Sequence, residues 1–288
     1  MNTAMSELRL SFEGGTVCLD GLPADGAHSP PACVWDERTH VHRAPAVAYA
    51  ELVLWLRDQG LDYADEARDY VKLAPAAIER QPPFPYQREA LAAWQAASCR
   101  GVVVLPTGSG KTFVAVMAMD ARPRSTLVVV PTLDLLNQWY DLLEAAFARP
   151  IGIVGGGDHE VEAIPATTPD SADIDTDRRG KPFGMVVFDE CHHLPSESYA
   201  MAARACMAPF RLGLTATPDR TDGGEARYAE LVGPVVFRRD IDELSGNYLA
   251  DYETQRLEVH LSAAEREQCG RERRLYTRGS GLEGARVG

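Results

Sequence analysis

The chain has 288 residues, 45% of them apolar and 25% charged, with a formal net charge of −13. That is room for one large domain and one small one in an ordinary soluble globular composition, with no apolar run near bilayer length and no cationic leader at Met1 to Leu10. The acidic balance weighs against a generic polyanion binder, although a local basic groove, backbone amides and helix ends can still contact phosphates.

Residues 1–80 read as a small α+β module. Leu8 to Phe12 and Thr16 to Leu19 alternate around Gly14-Gly15 and predict a hairpin. Ala24 to Ala32 is a Gly/Pro/Ser loop before a strand at Cys33 to Trp35. Pro45 is placed to open a helix running to Gly60, with Val47, Leu52, Val53, Leu54 and Leu56 on its apolar face, and a second helical stretch is expected over Ala64 to Leu73. Pro75, Pro82, Pro83 and Pro85 form a stiff connector. From residue 84 the rhythm becomes strands at 102–105, 126–130, 151–154, 184–188, 211–215 and 235–238. They alternate with helices at 86–98, 111–121, 133–147, 196–206 and 225–231. This predicts an α/β domain with a mostly parallel sheet, whose ligands sit beyond the carboxyl ends of the strands. Gly155 to Pro182 reads as exposed connection around a short strand near Ala163 to Thr168; its aspartates lack the spacing of a calcium loop. The six cysteines, at 18, 33, 99, 191, 206 and 269, have no zinc-clip spacing and read as reduced thiols.

Three strand ends carry chemistry. Pro106-Thr107-Gly108-Ser109-Gly110-Lys111-Thr112 lies between the apolar run Val102 to Leu105 and the helix beginning near Lys111. The glycines allow backbone N–H groups to wrap a polyphosphate at a helix N-terminus, Lys111 neutralises its outer charge and the Thr112 hydroxyl suits Mg²⁺. Leu105 stands where the general pattern has glycine, so the loop is a variant. Met185 to Phe188 ends in Asp189-Glu190-Cys191-His192-His193, offering Asp189 for the metal and Glu190 for an attacking water. His192 is placed to couple this site to a neighbour, while His193 serves equally well as filler. Arg211 to Pro218 is a third strand, ending in the hydroxyls of Thr215 and Thr217.

In that order these motifs resemble motifs I, II and III of superfamily 2 helicases. Phe84 to Leu91, Pro131 to Trp139, Gly155-Gly156-Gly157, Asp189 to Ser198 and Leu212 to Asp222 narrow the resemblance to the XPB-type DNA helicases. Residues 1–80 resemble, less specifically, their small damage-recognition domain. The resemblance implies a RecA-like ATP-binding domain over 81–257, the start of a thumb element over 258–288, ATP and Mg²⁺ as cofactors, and duplex or forked DNA as partner. It implies that Phe84 and Gln87 read adenine and that Thr107, Gly108, Ser109, Gly110, Lys111 and Thr112 hold phosphates. Thr112 and Asp189 would hold the metal, with Lys111, Asp189, Glu190 and His192 hydrolytic and Thr215 and Thr217 coupling hydrolysis to motion. Thr132, Gly156, Thr168 and Arg220 match DNA-contacting segments. The setting would be cytoplasmic and nucleoid-associated, or nuclear in a eukaryote, and never a membrane.

Two departures qualify this. The family's Arg-Glu-Asp motif reads Arg220-Thr221-Asp222, which puts strand separation in doubt. The second RecA lobe, roughly another 150 residues bearing the arginine fingers, does not follow within the 288 residues. The expectation is weak ATP and DNA binding and slow hydrolysis by this chain alone, with a second lobe in trans and a repair nuclease as candidate partners. Two other readings stay open: a DNA- or partner-binding module with a vestigial ATPase, and a P-loop ATPase without a nucleic-acid role.

Overall fold

Val102, Val103 and Val104 are apolar in succession because their strand is covered on both faces, the mark of a parallel sheet dressed by helices. A computed structural model of the protein describes residues 8–24, 30–68, 70–73, 82–147, 150–155, 158–159, 163–169, 183–194, 196–217, 229–246, 248–250, 262, 265 and 268–269. The chain divides into two compact units, Met1–Leu249 and Ala250–Gly288. The expected thumb element falls in the second unit and lies almost wholly outside the described residues.

The N-terminal part of the first unit is a five-stranded sheet in the order β3-β4-β2-β1-β5. Its strands are β1 (Leu8–Glu13), β2 (Thr16–Asp20), β3 (Val34–Asp36), β4 (Val41–Pro45) and β5 (Tyr63–Asp65). Helix α1 (Tyr49–Asp58) covers it, burying Leu52 and Leu56 against Leu8, Leu10, Val17 and Leu19. The expected hairpin is present. Pro45, expected to open a helix, instead ends β4, and α1 starts only after a short 3₁₀ turn at Ala46–Ala48. The second helix expected over Ala64 to Leu73 is replaced by β5, parallel to β1. The N–H groups of Glu66 and Ala67 donate to the Leu10 carbonyl at 2.8 and 3.1 Å, so pairing with the open edge of β1 overrides local helix propensity. Lys72 then bridges to Arg124 of the larger domain.

The larger sheet has the order β13-β6-β12-β11-β7-β10-β8-β9. Its strands are β6 (Arg100–Val104), β7 (Thr126–Val129), β8 (Gly152–Gly155), β9 (Asp158–His159), β10 (Pro165–Thr167), β11 (Met185–Phe188), β12 (Phe210–Thr215) and β13 (Val235–Arg238). All are parallel except β9, an unanticipated short strand antiparallel to β8. Side chains alternate across it. Val103, Val128, Val187, Leu212 and Leu214 face helices α2 (Pro85–Ala96), α3 (Lys111–Ala121) and α4 (Leu133–Phe147). Val102, Val129, Val186 and Phe188 face helix α5 (Glu197–Ala205). Of the helix expected over 225–231, residues 225–228 lie outside the described residues and 229–231 are helical.

Two features tie α5 to its surroundings. Arg211 is fully buried, and its guanidinium donates to the carbonyls of Ala203 and Cys206, where the helix dipole favours a cation. Burial nonetheless pulls the Arg211 pKa down to about 10. Met207, just past α5, is buried in the core of the N-terminal sheet, so the two sheets share a hydrophobic contact.

Candidate nucleotide site

The chemistry-bearing residues line one edge of the larger sheet because they follow the carboxyl ends of adjacent strands. In spatial order these are Thr107 to Thr112 after β6, Thr215 at the end of β12, Asp189 and Glu190 after β11, Thr132 after β7 and Thr168 after β10.

In the phosphate loop Gly108 and Gly110 have φ of +80° and +77°, and Gly110 starts α3 from the left-handed region. Tyr86 donates its hydroxyl to the Ser109 carbonyl at 2.6 Å. The buried Gln87 donates Nε2 to the same carbonyl at 3.1 Å, while its Oε1 accepts the Phe84 N–H at 2.9 Å. Both ends of the Gln87 amide are therefore occupied within the protein, and they brace the loop. Ser109 is buried with its hydroxyl on the Pro106 carbonyl, and Thr107 is exposed. Phe84, half exposed, stacks on Tyr86 with centroids 5.7 Å apart, and Tyr248 meets both rings edge-on. Burial, with Tyr248 beside it, pushes the Tyr86 hydroxyl pKa up.

Lys111 is buried, and its Nζ lies 3.9 Å from Glu190 Oε1, across β12, the strand that separates their two parent strands. Glu190 reaches it from a left-handed backbone (φ 45°, ψ 49°). Asp189 points elsewhere: Oδ2 accepts the indole N–H of Trp139 at 2.8 Å and Oδ1 accepts the Glu190 N–H at 3.0 Å. His192 Nδ1 is 3.3 Å from Glu190 Oε2 and 3.1 Å from Thr215 Oγ1, joining the acid to the third strand. Thr215 Oγ1 also accepts the N–H of exposed Thr217 at 3.1 Å. His193 packs on the His192 and Tyr199 rings. Cys191 is fully buried, which raises its thiol pKa far above the ordinary range, and it sits over Gly213, where a Cβ would stand 3.0 Å from Sγ.

A buried ammonium whose nearest carboxylate is at the limit of ion pairing, facing a glycine loop at a helix N-terminus, suits an anion. The Thr112 hydroxyl and the Asp189 carboxylate are hard oxygen donors of the kind Mg²⁺ takes together with phosphate and water. Among the described residues no cluster of three His, Cys, Asp or Glu could cage a metal by itself, and a shared site of this kind needs none. No described helix is long and apolar enough to cross a membrane. Thr132 is exposed at the head of α4, where its Oγ1 accepts the Leu135 N–H at 3.3 Å, and Thr168 is half-buried just past the end of β10. Gly156 and Arg220 lie outside the described residues.

Comparison with known proteins agrees with this layout. The damage recognition domain of the xeroderma pigmentosum group B helicase matches residues 10–67, and the family described as type III restriction enzyme, res subunit, matches residues 80–220. The DNA 3'-5' translocase XPB2 of Sulfurisphaera tokodaii is 36% identical over 248 residues, 86% of this chain and 56% of its own length. This chain belongs to the XPB-type helicases. Two further XPB-type relatives, each a DNA 3'-5' helicase XPB, are 34% identical in Kineococcus radiotolerans and 30% in Mycobacterium tuberculosis. Each match covers 63% of this chain; the chain spans 34% and 35% of those two relatives. In this XPB-type chain, sequence reasoning missed Trp139, Tyr86 and Tyr248 as site residues. Trp139 follows Leu136 by three residues and precedes Leu143 by four, so its spacing reads as the apolar stripe of α4.

Proposed function

We propose that this chain is the ATP-binding part of an ATP-dependent DNA translocase or helicase of DNA repair. The approach of Lys111 to Glu190 at 3.9 Å, with Asp189 beside it, carries the reading, because it brings the phosphate loop and the acid pair together from two non-adjacent strands. In this reading the amides of Thr107 to Lys111 and the Lys111 ammonium grip the triphosphate, and Phe84 offers its exposed face to the base. Contact of Gln87 with adenine requires it to exchange a bond it now makes to Phe84 or Ser109. Thr112 and Asp189 would hold Mg²⁺, which would supply neutralisation of the phosphate charge. Glu190 orients the attacking water and takes its proton on a carboxylate oxygen. His192 transmits the state of Glu190 to Thr215, and Thr217 extends that link, while Arg220 belongs with the DNA contacts. Thr132, Gly156 and Thr168 receive the DNA backbone through small or hydroxylated groups at strand ends. Residues 1–80 act as the damage-recognition domain and 81–257 as the first RecA-like lobe. Efficient hydrolysis and movement require a second lobe carrying arginine fingers, worth about 10³–10⁵ in rate in related phosphoryl transfers.

The test is nucleotide binding by the purified chain with and without Lys111→Ala. Removing a charge-assisted contact worth about 1.5–3 kcal/mol should weaken Mg-ATP binding by roughly tenfold to a hundredfold. Wild-type affinity in the variant refutes the site. DNA binding that weakens steeply with salt supports the nucleic-acid half of the reading, and salt-insensitive or absent binding overturns it.

A further inference from the structure

We infer, on the nucleotide-site reading above, that Trp139 is a positioning residue for the metal-binding carboxylate of Asp189. Trp139 and Asp189 are 50 positions apart in the chain, yet a 2.8 Å hydrogen bond joins these two buried residues, 2% and 6% exposed, through the indole N–H and the carboxylate. The alternation of β11 explains the direction. Met185 and Val187 face the side of the sheet covered by α4, so the position after Phe188 turns to that side and meets Trp139.

The two bonds on Asp189 fix its carboxylate plane. Oδ2 is committed to the indole and Oδ1 to the Glu190 N–H, which leaves each oxygen one lone pair for a further ligand. Without the indole N–H the carboxylate is held by a single bond and is free to rotate toward Lys111 or another donor. The indole thus does for this acid what carboxylate and carbonyl partners do for metal-ligating histidines: it selects one orientation, and losing such a partner typically costs about 10–100-fold in metal affinity. The packing of Trp139 into the core of α4 is a separate contribution, shared with Leu136 and Leu143.

The experiment measures ATP affinity of the full chain in excess Mg²⁺ and in EDTA for wild type, Trp139→Phe, Asp189→Asn and the double variant. Trp139→Phe should lose at least about tenfold of the Mg²⁺-dependent gain while its affinity in EDTA stays at the wild-type value. In the double variant the tryptophan change should add nothing to the loss from Asp189→Asn, because both act on one carboxylate. An undiminished Mg²⁺ gain in Trp139→Phe, an equal loss with and without Mg²⁺, or additive losses in the double variant each overturn the inference. If wild type shows no Mg²⁺-dependent nucleotide binding, the nucleotide-site reading itself fails and this one falls with it. Should Trp139→Phe not fold, 3-benzothienylalanine at position 139 keeps the ring size and replaces only the N–H with sulfur, and the same outcomes decide.

Discussion

Gly110→Ala tests whether the phosphate loop is braced by Gln87 or merely rests beside it. Gly110 sits at φ +77° and ψ 38°, where an alanine costs about 1–2 kcal/mol from its backbone alone. A methyl there would stand 2.6 Å from Gln87 Nε2, too close for the amide to stay. Displacing Gln87 sacrifices its bonds to Ser109 and Phe84, each worth about 0.5–1.5 kcal/mol, and forces some repacking. The single substitution should therefore destabilise the protein by about 2–5 kcal/mol. In a Gln87→Ala background the clash partner is gone and only the backbone cost of about 1–2 kcal/mol remains. Urea unfolding of the four proteins of this cycle gives the coupling, expected at about 1–3 kcal/mol, with nucleotide affinity as a second readout. Additivity within about 0.5 kcal/mol would refute the claim that Gln87 and the loop backbone are one mechanical unit.

Two other perturbations probe the rest of the chain. Met207→Ala should cost about 2–5 kcal/mol, since this buried side chain fills the core of the N-terminal sheet. Hydrogen exchange should show lost protection in β1, β2 and α1 ahead of β6 and β11, and loss confined to the larger sheet would contradict the packing. Alkaline pH should also destabilise the fold, because burial raises the Cys191 and Cys206 pKa values above the ordinary 9.0 and that of Cys33 to about 11. Above pH 9 the unfolded chain releases these protons while the folded chain retains them, so stability falls by up to about 1.4 kcal/mol per pH unit for each of the buried thiols Cys191 and Cys206, and by less for the partly exposed Cys33, until the folded pKa is reached. Denaturation midpoints at pH 8, 9 and 10 measure that slope. Cys191→Ala should make it shallower, and an unchanged slope would remove Cys191 from the account.

Much of this was legible because it is written locally. Continuous valines announce buried parallel strands, Gly108 and Gly110 announce a left-handed loop, and the acid pair follows an apolar tetrad. What stayed hidden depends on partners far along the chain. Nothing near Ala64 to Leu73 reveals that β1 has an open edge to pair with, so good helix formers mislead there. The bonds that Gln87 makes to Phe84 and Ser109 at the two ends of its amide are likewise invisible in the sequence. Arg211 breaks an otherwise apolar strand, and only the carbonyl ends of α5, eight and five residues earlier, explain why a buried guanidinium is tolerated. Trp139 is hidden by its own hydrophobicity, since the atom that matters is one N–H on a residue whose spacing signals core.

The acid pair shows how a local cost produces a division of labour. Consecutive residues in extended chain point to opposite faces of the sheet, which would send Glu190 toward the α5 side and away from the phosphate loop. The left-handed turn at Glu190 prevents this: Asp189 continues the strand alternation into Trp139, while Glu190 swings back to within 3.9 Å of Lys111. A non-glycine residue in that region costs about 1–2 kcal/mol, and the two hydrogen bonds on the Asp189 carboxylate, each worth about 1.5–3 kcal/mol, more than offset it. The turn also places Cys191 over β12, where a Cβ on residue 213 would crowd its Sγ at 3.0 Å, so Gly213 suits the same device. Asp189, Glu190, Cys191 and Gly213 therefore form one geometric unit, and altering any of them should change which carboxylate faces Lys111.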